Sequence, residues 1–343
     1  LGDKPPYGDV RLFELSTGRL AARLQGPQFA IYDVAFSPDG SRLAAAGQDG
    51  FVYIWRRGEA DAWIAETKLD GDSWHVQGIA WAAGGTRLAA ATTDNGIRLW
   101  DMADGSEIAM EDAEPLRDIR VMALAASQDG SRFAIGTAAG AVEIRDSATG
   151  ALVRAIDGLD FYVGSLTFAA GGKLLAVSCG YRCADRNRTL VLDVESGERK
   201  GEYRGHDGTV YATATTGDGL LVATAGGTRH AIHVWDPATG ERRAEMVGFG
   251  QPVTAVGIDA AGSAIAWGNA NPCPDRVACP EIQGVLENEF LLPLPDRFFE
   301  PPRAVGQGPF NRAVHAEGAW SVAAAAGGAD DLENAVLEIS NGG

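Results

Sequence analysis

The sequence has few of the residues that most often carry metal or nucleophilic chemistry: four cysteines and five histidines in 343 residues. Positive charge is also scarce, because 29 lysines and arginines face 46 aspartates and glutamates, for a formal net charge of −17. So acidic a chain has no general attraction to the phosphates of DNA or RNA, and we expect no nucleic acid partner. No apolar run reaches the roughly 18 residues that a membrane-spanning helix needs, so we expect no membrane span.

Motifs of common active sites are missing too. The chain contains no GxSxG nucleophile turn, no HExxH zinc motif and no GxxxxGK[ST] phosphate loop. Its acidic residues fall mostly in turns, and no carboxylate pair stands out for acid–base work. His230 and His233 flank a predicted hairpin and could bind a metal. The simpler interpretation is that both side chains are exposed to solvent and bind none. We therefore expect no catalytic residue, no metal, no cofactor and no enzyme activity.

Glycine is abundant, at 45 residues, and it marks a repeat. Short turn phrases such as ADG, ATG and ESG recur, and from Gly105 the spacings to Gly150, Gly197 and Gly240 are 45, 47 and 43 residues. A period of this size is typical of repeat architectures. The span from Gly18 to Gly342 accommodates seven periods of about 46 residues.

Each period shows the same pattern of short apolar runs. In IYDVAFSPDGSRLAAAGQDGFVYIW, residues 31–55, three runs with alternating character are separated by the turns SPDG and QDG. Such runs predict antiparallel strands joined by hairpins. A further run follows each turn phrase, as in ALVRAI (151–156). Four strands per period predict an all-β, seven-bladed β-propeller of four-stranded antiparallel blades.

The best-preserved period resembles a WD repeat. It opens on Gly205-His206, continues through VYATATTGDG and closes on AIHVWDPATG, with Trp235-Asp236 at its end. Related endings are IRLWD (97–101) and VYIW (52–55). The resemblance implies a structural role for His206 and a non-catalytic scaffold that binds proteins. The repeats are degenerate, and the Ala, Gly and Arg usage suits a bacterial source.

Both ends of the sequence contribute to the last predicted blade. Residues 314–340 supply three strands, ending in AVLEIS, and RLAARL (19–24) would supply the fourth. WD-type propellers usually close by mixing strands from both termini, which removes exposed sheet edges. The third strand is supplied twice, because DVRLFE near the N-terminus also fits it. We expect residues 1–343 to form a single propeller domain within a longer polypeptide.

The four cysteines form two close pairs, Cys179 with Cys183 and Cys273 with Cys279. Both pairs are predicted to lie in loops between the second and third strands of their blades. Two local disulfides are the favoured interpretation, in an oxidising compartment. A four-thiolate zinc site would need both loops to meet, and it usually uses CxxC spacing. Free thiols in a cytosolic protein are the third alternative.

Loops of unequal length distinguish the predicted faces. The turn between the second and third strands is short in blades one to three and long in blades four to seven, and long loops on a rigid scaffold often carry function. Aromatic and arginine residues, the usual anchors of protein interfaces, fall in these loops and in those leading into each first strand. The candidate binding residues are Phe29, Trp74, Phe161, Tyr162, Tyr181, Arg182 and Arg276.

The sequence thus predicts a protein-interaction scaffold or regulatory domain that binds through the face carrying the long loops. One alternative is an extracytoplasmic propeller that binds a small ligand, or does hydrolytic chemistry, at the mouth of the central channel. That mouth would be lined by the aligned first-strand positions Tyr32, Gln77, Met122, Gly164, Tyr211 and Thr254. A purely structural role in an array is another. The cysteine pairs favour a periplasmic or secreted location, and a cytoplasmic one stays open.

Overall fold

The computed structural model describes residues 8–14, 20–27, 29–93, 96–110, 120–180, 187–228, 231–247, 253–262, 264–269, 283–287, 310–317 and 320–326. Antiparallel β-strands dominate these ranges, and the helical segments within them are two 3-10 turns, Glu59–Asp61 and Ala83–Gly85. The predicted all-β class is confirmed.

The first half of the chain forms strands that pair with their neighbours in sequence. Two strands come first, β1 (Gly8–Glu14) and β2 (Leu20–Leu24). Three sheets in chain order follow: β3 (Ile31–Phe36), β4 (Arg42–Gly47), β5 (Phe51–Arg57) and β6 (Trp63–Asp70); β7 (Val76–Ala82), β8 (Arg87–Thr92) and β9 (Ile97–Asp101); β10 (Val121–Ala126), β11 (Arg132–Thr137), β12 (Val142–Asp146) and β13 (Leu152–Ile156).

The second half continues this arrangement. Its sheets in chain order are β14 (Val163–Ala169), β15 (Leu174–Cys179), β16 (Thr189–Asp193) and β17 (Arg199–Tyr203); β18 (Val210–Thr215), β19 (Val222–Gly226), β20 (Ala231–Trp235) and β21 (Arg242–Val247); β22 (Val253–Ile258), β23 (Ala264–Asn269) and β24 (Gln283–Glu287). Two last strands are β25 (Phe310–Glu317) and β26 (Trp320–Ala326). The sheets are consistent with the blades of a propeller.

One sheet combines strands from distant parts of the sequence, in the order β2-β1-β26-β25. Its register pairs Gly8 with Ala326 and Glu14 with Trp320, so β1 occupies the third place in this sheet. Of the two predicted copies of that strand, the N-terminal one is therefore used. The other, residues 335–340, lies outside the described residues. Strand β2 forms the sheet's outer edge, next to β1.

The SPDG-type turns are held by side-chain hydrogen bonds. Ser37 Oγ donates to Asp39 Oδ1 over 2.6 Å, and the same carboxylate accepts the backbone N–H of Ser41 over 3.0 Å. Burial raises the pKa of Asp39, but the hydrogen bonds from Ser37 and Ser41 outweigh it and leave the pKa below its ordinary value. Gly40 adopts φ +67°, a conformation that glycine tolerates best. These contacts explain why the serine, aspartate and glycine recur.

The apolar core lies between successive sheets. Strand β4 is buried along nearly its whole length, because both of its faces pack against neighbouring sheets. One cluster joins Val10 and Leu12 of β1 to residues of β3, β4 and β5, and the next joins that sheet to β7, β8 and β9. First strands of consecutive sheets lie side by side, from β3 and β7 onward to β18 and β22. Loops at the strand ends thereby meet across sheet boundaries.

Candidate functional site

A groove of about 650 Å³ opens where the β3–β6 sheet meets the loop leading into β7. Its lining comes from strands β5 and β6 and from three predicted loop positions: the segment before β3, the turn between β4 and β5, and residues 72–75 before β7. The loops that enter first strands and those that join second to third strands therefore meet here. The lining includes Phe29, Asp49, Phe51, Tyr53, Lys68 and Trp74.

The floor of the groove is aromatic and carries a fixed carboxylate. Tyr53 is buried, lies parallel to Trp55 at 6.2 Å between ring centroids, and donates its hydroxyl proton to Asp49 Oδ2 over 2.8 Å. Burial, reinforced by the Asp49 carboxylate, raises the Tyr53 pKa well above its ordinary value. The phenol is therefore a neutral donor at physiological pH. Asp49 also accepts the backbone N–H of Phe51 over 3.3 Å.

A lysine ammonium rests on this floor. Lys68 lies directly opposite Tyr53 in the β5–β6 register, and its Nζ is 3.3 Å from the centroid of the Phe51 ring and 5.2 Å from that of Tyr53. The negative face of an aromatic ring attracts a cation at such distances. The groove thus already holds one cationic group on its aromatic surface.

The rim of the groove is a loop fixed by hydrogen bonds. Gly71 donates its N–H to Gly50 over 2.9 Å, and Asp72 donates its N–H to Asp70 Oδ1 over 2.8 Å. Asp72 has φ 47°, a left-handed conformation that aspartate tolerates better than most residues. Trp74, on this anchored loop, exposes 80% of its surface. Because the loop is already ordered, it presents a large apolar side chain to solvent in a defined position.

The structure brings together two of the predicted binding residues and separates others. Phe29, 48% exposed, and Trp74 line the same groove. Phe161 is 6% exposed and packs in the core formed by the β10–β13 and β14–β17 sheets, so its prediction as a surface contact is wrong. Tyr162 is half-buried, and burial raises its pKa. The predicted residues outside the described part of the chain are Tyr181, Arg182 and Arg276.

Cys179 occupies a different place from the predicted loop. It is the last residue of β15, fully buried, and it is not a free thiol. Cys179 pairs with Val163 of β14, and its N–H donates to the carbonyl of Arg188 over 3.0 Å, so the strand extends through this residue. Cys183, Cys273 and Cys279 lie outside the described residues, so the two pairings stay predictions.

The predicted channel-mouth residues do converge. A smaller cavity of about 210 Å³ is lined by the aligned first-strand positions and by neighbouring hydroxyls. Ser165 Oγ and Thr213 Oγ1 lie 2.7 Å apart there, and Asp33 Oδ2 accepts the N–H of Ile79 over 2.8 Å, which ties β3 to β7. This cavity is therefore mostly uncharged and polar. The aligned residues are Tyr32, Gln77, Met122, Gly164, Tyr211 and Thr254.

A second polar cluster is closed to solvent. Trp235 Nε1 donates to Thr224 Oγ1 over 3.2 Å, and His206 Nε2 shares a 2.9 Å hydrogen bond with the same hydroxyl. Tyr203 stacks on Trp235 at 4.6 Å, and its hydroxyl lies 2.9 Å from His233 Nδ1. His233 is buried within β20, so its predicted place on an exposed hairpin is wrong.

Burial also controls the titration of this cluster. Desolvation, together with the nearby His233 ring, lowers the pKa of His206 to about 3. The imidazole is therefore neutral at physiological pH. Among the residues that the structure describes, no group of three or more histidines, cysteines and acids could hold a metal ion.

Comparison with known families identifies the repeats. The family model described as WD domain, G-beta repeat matches residues 18–56, 65–101 and 197–236. This chain carries WD repeats. The first two matched WD repeats contain the groove, and the third contains the cluster around Trp235. WD repeats generally mediate protein–protein interaction or scaffolding and are typically non-catalytic.

Curated proteins offer no further guide, since none matches this chain significantly. In the described part of the chain, no helix has the length and apolar character needed to cross a bilayer.

Sequence reasoning missed most residues of the groove floor, among them Asp49, Tyr53 and Lys68. A signal for the first two was present, because Asp49 precedes Tyr53 by four residues across a tight turn into β5. Side chains near such a turn lie close together on the sheet. The position of Lys68 depends on the β5–β6 register, which the sequence pattern alone does not define.

Proposed function

We propose that the chain is a non-catalytic propeller domain that serves as a protein-interaction scaffold. It binds through the face on which the groove opens. One observation carries this proposal: Trp74 exposes 80% of its surface on a loop that is fixed by backbone hydrogen bonds, beside the exposed Phe29. Tryptophan is enriched among the residues that dominate binding energy at interfaces, and a fixed loop loses little entropy on binding.

The proposed architecture is a closed ring of seven blades over residues 1–343. Two observations support it. Strand β1 pairs with β26, which joins distant parts of the sequence in one sheet. Strand β25 also lies beside both β22 and β3, the inner strands of the sheets that would flank it in a ring. Such closure leaves no inner sheet edge open to other chains.

The long loops of blades four to seven extend the proposed binding face. Tyr181, Arg182 and Arg276 are its proposed contacts there, shaped by Cys179–Cys183 and Cys273–Cys279 disulfides. Closing so short a loop contributes about 2–3 kcal/mol at most, so the disulfides would shape the loops more than hold the fold. Mass spectrometry of the non-reduced protein should find each pair linked within itself. A cross-pair link or four free thiols would contradict these pairings.

Paired surface variants test the proposed face. Phe29→Ala combined with Trp74→Ala removes the two exposed aromatic residues, and Leu220→Ala removes a 61%-exposed leucine from the β18–β19 turn, at the other end of the strands. Wild-type and Leu220→Ala proteins should capture the same partners from a lysate of the source cells, and the double variant should lose them. If the double variant captures the same partners with equal yield, this face is not the binding face.

A second candidate function is recognition of a small uncharged ligand at the channel mouth. It is favoured by the convergence of six aligned first-strand positions on one polar cavity. Tyr211 is 43% exposed there and offers a ring for stacking. Tyr211→Ala should abolish binding of a small ligand and leave capture of protein partners unchanged. Loss of protein partners in this variant would instead place the protein-binding site at the channel.

A further inference from the structure

We infer that the groove receives the cationic side chain of a basic peptide segment in a protein partner, and that Lys68 takes that place in the free protein. This inference rests on the proposed protein-binding function and specifies the chemistry of its partner. The observation behind it is the Lys68 ammonium, which lies 3.3 Å from the Phe51 ring centroid although the lysine is exposed to solvent. The aromatic floor thus attracts a cation even where water competes for it.

Charge at the groove favours the same kind of partner. Two carboxylates line it: Asp49, which is held by Tyr53, and Asp72, whose side chain is 81% exposed and lies 3.4 Å from Arg98. The chain as a whole carries a net charge of −17. An acidic surface accelerates the approach of a basic partner and repels an acidic one. An acidic peptide would have to bind against both the local and the overall charge.

The apolar rim provides the rest of the contact. Trp74 and Phe29 stand beside the aromatic floor, so the methylene groups of a lysine or arginine have apolar surface to cover while the charged end reaches Asp72 or Phe51. Within the chain itself, the Lys68 ammonium already lies over the Phe51 ring. When a partner's cation arrives, the Lys68 ammonium moves into the surrounding water, where it is readily hydrated.

A peptide selection tests the inference without knowledge of the natural partner. A random linear peptide library displayed on phage is selected on the wild-type protein, and the recovered peptides are tested against Trp74→Ala and Leu220→Ala. Peptides that need Trp74 but not Leu220 should share a lysine or arginine. Replacing that residue by acetyl-lysine or citrulline should weaken binding by roughly 2- to 30-fold, the range of a cation–π contact.

Lys68→Gln tests the second half of the inference. Removing the internal cation should strengthen binding of the selected basic peptides severalfold and lower the melting temperature only slightly, because the lost contact is a single exposed cation–π pair. Selected peptides that need Trp74 but carry acidic or only apolar residues would overturn the inference and leave the protein-binding face intact. Weaker binding to Lys68→Gln would also overturn it. Failure to obtain any peptide that needs Trp74 would count against both proposals.

Discussion

The WD repeats at residues 18–56 and 197–236 use one strand position in opposite ways. Tyr53 and His233 each stand two residues before a tryptophan, Trp55 or Trp235, on the third strand of their sheets. Tyr53 donates a hydrogen bond to Asp49 at the groove, whereas His233 faces Tyr203 inside the protein. The same repeat frame therefore supports a surface site in one place and a closed polar core in another.

The residue before the first strand explains much of this difference. His206 follows Gly205 and fills the interior with an imidazole that lies 4.0 Å from the His233 ring centroid. In the first repeat Pro27 follows Gly26, and a Cβ on Gly26 would approach the Tyr53 ring to 2.8 Å. The Tyr53 ring therefore packs against the Gly26 backbone, with the Trp55 ring on its other side. The third matched repeat thus encloses a buried polar cluster, whereas the first lines an open groove, which we propose as a binding site.

Truncating the two tryptophans should produce the largest contrast. Trp235→Ala removes a fully buried ring and should lower the free energy of unfolding by about 3–5 kcal/mol. Trp74→Ala removes an exposed ring and should change it by no more than about 0.5 kcal/mol. Urea unfolding followed by circular dichroism measures both. Similar losses in the two variants would show that the Trp74 loop is part of the stable core.

Thr224→Val should have the next largest effect. The hydroxyl accepts a hydrogen bond from Trp235 Nε1 and shares another with His206, so the substitution leaves two buried groups without this partner. We expect a loss of about 1–3 kcal/mol in the free energy of unfolding. Thr67→Val, at an exposed position of β6, is the matched control and should be nearly neutral. An equal effect at both positions would exclude an energetic role for the buried hydroxyl.

Acidic pH should lower the free energy of unfolding, because His206 in the third matched repeat is buried and neutral. Its pKa is about 3 in the folded protein, against 6.5 for an unperturbed histidine side chain, so below pH 6.5 the unfolded chain binds a proton that the folded chain does not. The free energy of unfolding should therefore fall by up to about 1.4 kcal/mol per pH unit between pH 6.5 and 3. Urea midpoints at several pH values measure the slope. His206→Gln should make it shallower, and an unchanged slope would rule out this cause.

Tyr53→Phe should have the smallest effect on stability. It removes one partly buried hydrogen bond to Asp49 and should cost about 1 kcal/mol. The substitution also removes one phenol whose pKa lies above its ordinary value. Ultraviolet titration should show that the tyrosine missing from the variant ionises late in the wild-type protein. If the missing phenol ionises with the exposed tyrosines, the Asp49 contact does not persist in solution.

The repeat pattern was sufficient to predict strands, turns and the convergence of the first strands on one cavity. Glycine spacing places the hairpins, and alternation places the six aligned residues, from Tyr32 to Thr254, on one cavity. These features depend on local chemistry that each period repeats. The choice of the N-terminal copy for the third strand of the mixed sheet was left open, because both candidate strands have the same pattern.

The sequence pattern does not predict how exposed each aromatic side chain is. Phe29 and Phe161 occupy comparable loops, yet one is half-exposed and the other packs against Val142 and Ile144 of the preceding sheet. Packing between sheets decides this, and it involves residues far apart in sequence. The buried position of His233 has the same origin, since Tyr203 and His206 cover it from two other segments.

The pairing of β1 with β26 has a consequence for synthesis on the ribosome. Residues 8–14 leave the ribosome before their backbone partners, residues 320–326, which are translated about 300 codons later. Only β2 is available to β1 in the meantime, and a two-stranded hairpin is at best marginally stable in water. Strand β1 carries the apolar residues Val10 and Leu12. Until translation reaches β26, this strand is therefore exposed to incorrect pairing and aggregation.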